Sequence, residues 1–193
     1  MFKDLIVFPL RPMLAKNTLF LDRDGVLNHV VMRGEEISSP RCLEEFRIAE
    51  DIDALASTEV QENWNLVVIS NQPDLSRRKI DMGLLNCFQQ KLSARIPINA
   101  IYICPHDSSH GCDCRKPKCG LIKRFRDQYP MKKGQEFLIG DRHSDQQCAM
   151  NADIPFILRR RDYNQDLTGT SQYVINSLNE IDLFLRKGLA HEF

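Results

Sequence analysis

The chain has 193 residues, 42% hydrophobic and 27% charged, with nine each of glycine and proline, proportions that exclude disordered, collagen-like and low-complexity classes. Lysine plus arginine and aspartate plus glutamate both total 26, so the cationic excess of a duplex nucleic-acid binder is missing. No apolar run approaches the roughly 20 residues needed to cross a bilayer. The stretch at 5–10 is cut by Pro9 and Arg11 with no small-residue cleavage site after it, which speaks against secretion.

Taken along the chain, short apolar runs at 18–21, 66–69, 100–103, 137–139 and 156–158 read as buried parallel strands. Between and after them, helical spacing appears at 52–60, 82–92, 121–129, 145–151 and 178–185. Alternation of this kind predicts an α/β fold, a doubly wound parallel sheet with helices on both faces. Ligands of such sheets bind beyond the carboxyl ends of the strands. Those ends are chemically rich here: Asp22-Arg23-Asp24-Gly25, Ser70-Asn71-Gln72, the cluster starting at Cys104, and Gly140-Asp141-Arg142.

Asp22 and Asp24 sit two apart at a turn that Gly25 permits, so both carboxylates can face one cavity. Taken alone, such a pair is as often a solvated turn. Asp141 and Asp145 at a later strand exit complete a carboxylate set suited to Mg²⁺, which needs few protein oxygens and keeps waters. A second cluster is softer. Of seven cysteines, an odd number, four fall between Cys104 and Cys119, which favours metal binding in a reducing cytoplasm over disulfides. Cys104-Pro105-His106 followed by Cys112-Asp113-Cys114 offers four ligands for a closed, structural tetrahedral Zn²⁺ site. His110 competes with His106, which is favoured because its pairing with Cys104 mirrors Cys112 with Cys114. Cys119 reads as a free thiol, and Cys42, Cys87 and Cys148 as small apolar residues.

Four segments in order carry a resemblance: Leu19-Phe20-Leu21-Asp22-Arg23-Asp24-Gly25-Val26-Leu27-Asn28, Val67-Val68-Ile69-Ser70-Asn71-Gln72, Cys114-Arg115-Lys116-Pro117, and Phe137-Leu138-Ile139-Gly140-Asp141-Arg142-His143-Ser144-Asp145. The chain resembles the haloacid dehalogenase (HAD) superfamily of phosphohydrolases from about Leu19 to Leu158. With the length of the chain, that resemblance implies one domain spanning 1–193, with a minimal cap and a zinc loop at 104–114; the N-terminal extension at 1–17 has no counterpart in the family. It implies Asp22 as a nucleophile that forms an aspartyl-phosphate, and Asp24 as general acid and then base. Mg²⁺ would be held by Asp22, the Asp24 backbone carbonyl and Asp141, with Asp145 bound through water or orienting a ligand. Ser70 and Asn71 would donate to phosphoryl oxygens, Lys116 would offset the charge, and Arg115 and Arg142 would contact substrate; for Arg142 a surface salt bridge is an equally good account.

Within the superfamily, the zinc loop resembles a subgroup acting on small phosphorylated metabolites. The substrate expected is a sugar phosphate, D-glycero-D-manno-heptose 1,7-bisphosphate losing its 7-phosphate, with histidinol phosphate as the alternative. The protein is then expected to work as a cytoplasmic monomer without nucleic-acid or membrane partners. A rival of another class is an inactive zinc-stabilised module that binds nucleic acid through Arg115, Lys116 and Lys118. The segment 30–46, with Arg33, Ser38, Ser39 and Arg41, falls where the family places substrate-contacting loop residues but matches neither substrate type residue for residue; these arginines either meet a second phosphate or are solvated loop charges. Phe2 and Phe8 of the extension are candidates for packing on a sheet edge or on a partner, and 188–193 reads as a frayed tail.

Overall fold

A computed structural model describes residues 4–130 and 134–187; Phe2 and the tail at 188–193 lie outside the described residues. The strands are β1 (Ile6–Pro9), β2 (Asn17–Leu21), β3 (Val31–Arg33), β4 (Glu36–Ser38), β5 (Trp64–Asn71), β6 (Ile98–Cys104), β7 (Glu136–Gly140), β8 (Phe156–Arg159) and β9 (Tyr173–Ile175). The helices are α1 (Thr58–Asn63), α2 (Met82–Ser93), α3 (Gly120–Gln128), α4 (His143–Ala152) and α5 (Ile181–Lys187). Seven strands form one sheet in the order β1-β6-β5-β2-β7-β8-β9, parallel except for β1. Among the described residues no helix is long and apolar enough to cross a membrane.

The central strands are apolar at nearly every position because both their faces are covered. Leu19 and Leu21 of β2 with Leu66 and Val68 of β5 join Leu85, Phe88 and Leu92 of α2 on one face. Phe20, Val67 and Ile69 point the other way, against Leu121, Ile122 and Phe125 of α3 and Ala149 of α4. The two-residue side-chain period of a strand divides one run of sequence between two cores. From β2 the chain winds outward through β5 and β6, then returns to the other side of β2 for β7, β8 and β9. The reversal leaves the carboxyl ends of β2 and β7 side by side, the position where such sheets bind ligands.

Several elements differ from the sequence reading for local reasons. The helix expected at 52–60 is a tight turn, Ile52–Ala56, followed by α1, because Ser57 is extended and its side chain accepts from the Val60 N–H to start a new helix. Segment 30–46 contains the hairpin β3–β4, turning at Gly34, whose φ is +66°. The extension contributes β1, an antiparallel edge strand on β6, where Pro9 is tolerated and Phe8 packs against the core. Buried Asn65 ties the extension down by accepting from the Leu14 N–H and donating to the Ala15 and Asn17 carbonyls. Asn99 donates to the Pro12 carbonyl.

Beyond β8, the Arg159 side chain, 2% exposed, pairs with Asp51 at 2.6 Å. Asp51 also accepts from Ser177 and the Leu178 N–H, both at 2.8 Å, binding the sheet to the turn at 52–56 and to the segment leading into α5. Removing one partner strands a buried charge. Asp51→Ala is expected to cost about 3 kcal/mol, read as a lower urea midpoint at unchanged m-value.

Candidate functional site

Asp22 follows β2 directly, its N–H donating to the Ile139 carbonyl and so continuing the β2–β7 ladder by one residue. Asp141 follows β7, Ser70 and Asn71 end β5, and Asp145 lies in the first turn of α4. Lys116 arrives from the loop after β6. Its side chain is 2% exposed, and its ammonium lies 2.6 Å from both Asp22 Oδ1 and Asp145 Oδ1 while donating to the Ile69 carbonyl at 3.1 Å. The Asn71 carboxamide holds the Lys116 backbone from both sides, Oδ1 accepting from its N–H and Nδ2 donating to its carbonyl, each at 3.0 Å. The Asn71 side chain is therefore committed to Lys116, leaving the phosphoryl-donating role expected of this residue to its main chain.

Carboxylate oxygens of Asp22, Asp141 and Asp145 lie within 4.8 Å of one another. Asp145 Oδ2 accepts from the Asp141 and Arg142 N–H groups, so both of its oxygens are engaged. Asp141 Oδ2 accepts from the Tyr163 hydroxyl at 2.6 Å, while Oδ1 is buried with no hydrogen-bond partner among the described residues. Burial, followed by the charges of Asp22 and Asp145, pushes Asp141 well above the usual carboxylate range. Burial also raises Asp22, with Lys116 opposing, to about 6. An orphaned buried oxygen among three carboxylates and one ammonium is what a hard divalent cation would complete. Gly25 makes the approach possible: at its φ of +96° a Cβ would fall 2.1 Å from Asp141 Oδ2.

Asp24 occupies a different environment. Arg23 chelates it, Nη2 donating to Oδ2 at 2.9 Å, and Asn28, Gln72 and Ser39 add bonds at 2.7–2.8 Å. Burial would raise Asp24, but Arg23 and these donors outweigh it and hold the carboxyl below its ordinary value. Arg23 is itself fully buried, its guanidinium 5.8 and 5.5 Å from the stacked rings of Phe46 and Phe88. Gln72 Nε2 also donates to Ser70 Oγ at 2.9 Å, leaving the Ser70 hydroxyl hydrogen to be donated elsewhere.

Asp22, Asp24, Ser70, Asn71, Arg115, Lys116, Arg142 and Asp145 line a cleft of about 250 Å³, closed on one side by Glu36–Ser39 of the hairpin. Arg41 lines it too, paired with Asp74 at 2.7 Å. Arg33 instead forms a fork with Glu45 outside the cleft. Arg115 donates to the His106 carbonyl, and Arg142 stands 3.9 Å from Asp141.

Beside the cleft, Cys104, His106, Cys112 and Cys114 bring four donor atoms within 4.8 Å of one another, the successive pairs around the group being 3.3–3.6 Å apart. Metal–ligand bonds of about 2.0–2.3 Å give tetrahedral edges of about 3.4–3.8 Å, so the donor set fits a closed four-coordinate cation. His110 stands apart, its Nδ1 accepting from the Asp107 N–H. The residues the sequence reading missed are Asn28, Ser39 and Gln72 around Asp24, and Tyr163 with Asn164 against Asp141. Asn28 and Gln72 lie inside recognised motifs without an evident task; nothing in the sequence near Tyr163 points to the site.

The hydrolase-like family model, described as HAD-hydrolase-like, matches residues 113–181. D-glycero-alpha-D-manno-heptose-1,7-bisphosphate 7-phosphatase of Campylobacter jejuni subsp. jejuni is 35% identical over 141 residues, 70% of this chain and 77% of that protein. The bifunctional histidine biosynthesis protein HisB of Actinobacillus pleuropneumoniae is 33% identical over 149 residues, 73% of this chain but 39% of that protein. Among solved structures, D,D-heptose 1,7-bisphosphate phosphatase from B. bronchiseptica, complexed with magnesium and phosphate, matches with a TM-score of 0.74 at 24% identity, over 89% of this chain and 98% of that one. This structural likeness establishes the fold.

Gly25→Ala tests the packing of the two strand ends. Its left-handed backbone and the 2.1 Å approach are incompatible with a methyl group. The variant is expected to lose about 2 kcal/mol or more of stability and to bind divalent cations more weakly, measured by thermal unfolding and calorimetric titration.

Proposed function

Since the chain belongs to the haloacid dehalogenase-like phosphatases, we propose that it is a Mg²⁺-dependent phosphomonoesterase acting through an aspartyl-phosphate on a small phosphorylated sugar. The substrate favoured is D-glycero-D-manno-heptose 1,7-bisphosphate, cleaved at its 7-phosphate. The observation that carries the reading is the buried contact of Lys116 with Asp22 at the head of the cleft, beside the orphaned oxygen of Asp141.

A phosphate monoester dianion repels an anionic nucleophile, so attack by Asp22 needs positive charge beside it. Lys116 supplies one charge. Mg²⁺, held by Asp22, the Asp24 carbonyl and Asp141, would supply more, keeping Asp22 ionised and drawing charge from the phosphoryl oxygens. Asp145 orients Lys116 and caps α4. Ser70 and the Asn71 N–H donate to the transferring group. Asp24 protonates the departing alkoxide and then takes a proton from the water that opens the aspartyl-phosphate. Arg23 and its neighbouring donors favour the base form of Asp24 that the second step requires; a bound phosphoryl dianion nearby favours its protonation for the first.

Within the family, the cleft wall discriminates between substrate types. Besides Lys116 it carries Arg41, Arg77, Arg115 and Arg142, and no aromatic side chain lines it among the described residues. Arg41 is neutralised by Asp74, whereas Arg115 donates to a backbone carbonyl and has no ion pair among the described residues. Charge of that kind suits a sugar with a second phosphate; an imidazole ring finds no stacking partner. The cysteine–histidine cluster is assigned a structural Zn²⁺ that holds the loop bearing Arg115 and Lys116. None of the seven cysteines forms a disulfide, which suits the reducing cytoplasm.

Phosphate release is to be measured with Mg²⁺ on both anomers of heptose 1,7-bisphosphate, histidinol phosphate, simple sugar phosphates and a 3′-phosphorylated oligonucleotide. A heptose bisphosphate is expected to lead, with Asp22→Asn slowing turnover at least about a thousandfold in a folded protein. Preference for histidinol phosphate overturns the substrate, and a fully active Asp22→Asn overturns the mechanism. Cys112→Ser is expected to lose the bound zinc and about 10 °C of melting temperature, measured by elemental analysis and calorimetry.

A further inference from the structure

After β8 the chain makes a short turn at Asp162–Leu167 that reaches back to the candidate cation site at several points. Arg161 Nε donates to the Gly25 carbonyl at 2.9 Å, and buried Asn164 donates from Nδ2 to the Asp141 carbonyl at 2.7 Å. Between them Tyr163 places its hydroxyl 2.6 Å from Asp141 Oδ2. Asn164 is held in turn, accepting from the Arg161 N–H at 2.7 Å and donating to the Arg159 carbonyl at 3.1 Å. The phenol is thus delivered by a braced turn to one particular oxygen.

The two oxygens of Asp141 are unequal as a result. Oδ2 accepts the phenolic O–H and is hemmed in by Gly25, where a Cβ would stand 2.1 Å from that oxygen and 2.6 Å from the Tyr163 hydroxyl. Oδ1 is buried and has no hydrogen-bond partner among the described residues. An oxygen that already accepts a donor in a crowded place is the poorer ligand, so a cation is directed to the other. Mg²⁺ takes one oxygen from a carboxylate in a tight octahedral shell at about 2.0–2.1 Å, whereas Ca²⁺ accepts both oxygens in a larger and looser shell.

We propose that Tyr163 is a positioning residue that confines Asp141 to one-oxygen coordination and thereby sets the preference of the site for Mg²⁺ over Ca²⁺. The inference rests on the reading that Asp22 and Asp141 hold the catalytic cation. Partners that orient a metal-binding carboxylate typically change affinity by about 10–100-fold when removed, and here the change falls unequally on the two ions.

The test is calorimetric titration of Mg²⁺ and of Ca²⁺ into the full-length protein, wild type and Tyr163→Phe, with melting temperatures measured alongside. The Phe substitution keeps the ring and removes the hydroxyl. It is expected to weaken Mg²⁺ binding about tenfold while Ca²⁺ binding holds or tightens, so that the ratio of the two dissociation constants moves by about the same factor. Tyr163→Leu, which also lacks the hydroxyl, is expected to move the ratio the same way and provides the reading should the first variant not fold. Equal changes for both ions, no change for either, or a change confined to the Leu variant overturn the proposal. A wild-type protein that binds neither cation overturns the catalytic-cation reading and this inference with it; a wild type that binds Mg²⁺ with a ratio unaltered by either variant overturns the inference alone.

Discussion

A single buried ammonium organises this protein. Lys116 is 2.6 Å from Asp22 at the end of β2 and 2.6 Å from Asp145 in α4, and it donates to the Ile69 carbonyl within β5. Charges removed from water this completely are stable only when paired and hydrogen-bonded. Both partners outweigh the burial that would lower its pKa and keep the lysine protonated. Segments contributed by β2, β5, α4 and the loop after β6 therefore meet at one atom. With Asp141 added, three buried carboxylates face one ammonium, an excess of acidic groups that a divalent cation would offset.

The loop that delivers Lys116 contains little apolar material, and its shape comes from elsewhere. Asn71 grips the lysine backbone through two hydrogen bonds, while the cysteine–histidine cluster gathers both ends of the stretch 104–114 into donor separations of 3.3–3.6 Å. Arg115 joins the two by donating to the His106 carbonyl. On the far side Arg77 pairs with Asp107 of the same loop and lies 3.7 Å from Asp74, which also holds Arg41. A row of alternating charges thus links the cysteine–histidine loop to the hairpin side of the cleft.

Two aspartates separated by one residue are given opposite electrostatic surroundings. Asp22 faces other carboxylates and is raised to about 6, with burial the leading cause. Asp24 is turned toward Arg23, Asn28, Gln72 and Ser39 and is lowered despite equal burial. The division depends on Arg23 lying beneath the chain, against Phe46 and Phe88. Two carboxyls one residue apart can then hold different protonation states at one pH.

By itself the sequence determined the five central parallel strands, their covered faces and which reactive side chains follow them. Buried strands leave unbroken apolar runs, and the residues after Leu21, Ile69 and Ile139 can be found by following each run to its end. Cys104, His106, Cys112 and Cys114 were equally legible because their ligand spacing is local. Short-range chemistry also shifted some boundaries, as where Ser57 starts α1 inside a periodic helical pattern. What only the tertiary structure decided is pairing between distant segments: β1 on β6, Arg41 with Asp74, Arg33 with Glu45, Asn71 around Lys116, and Tyr163 on Asp141. Tyr163 and Asp141 are 22 residues apart, and no periodicity or spacing records a contact of that kind. A motif names the groups that can react; the fold decides what each of them is paired with.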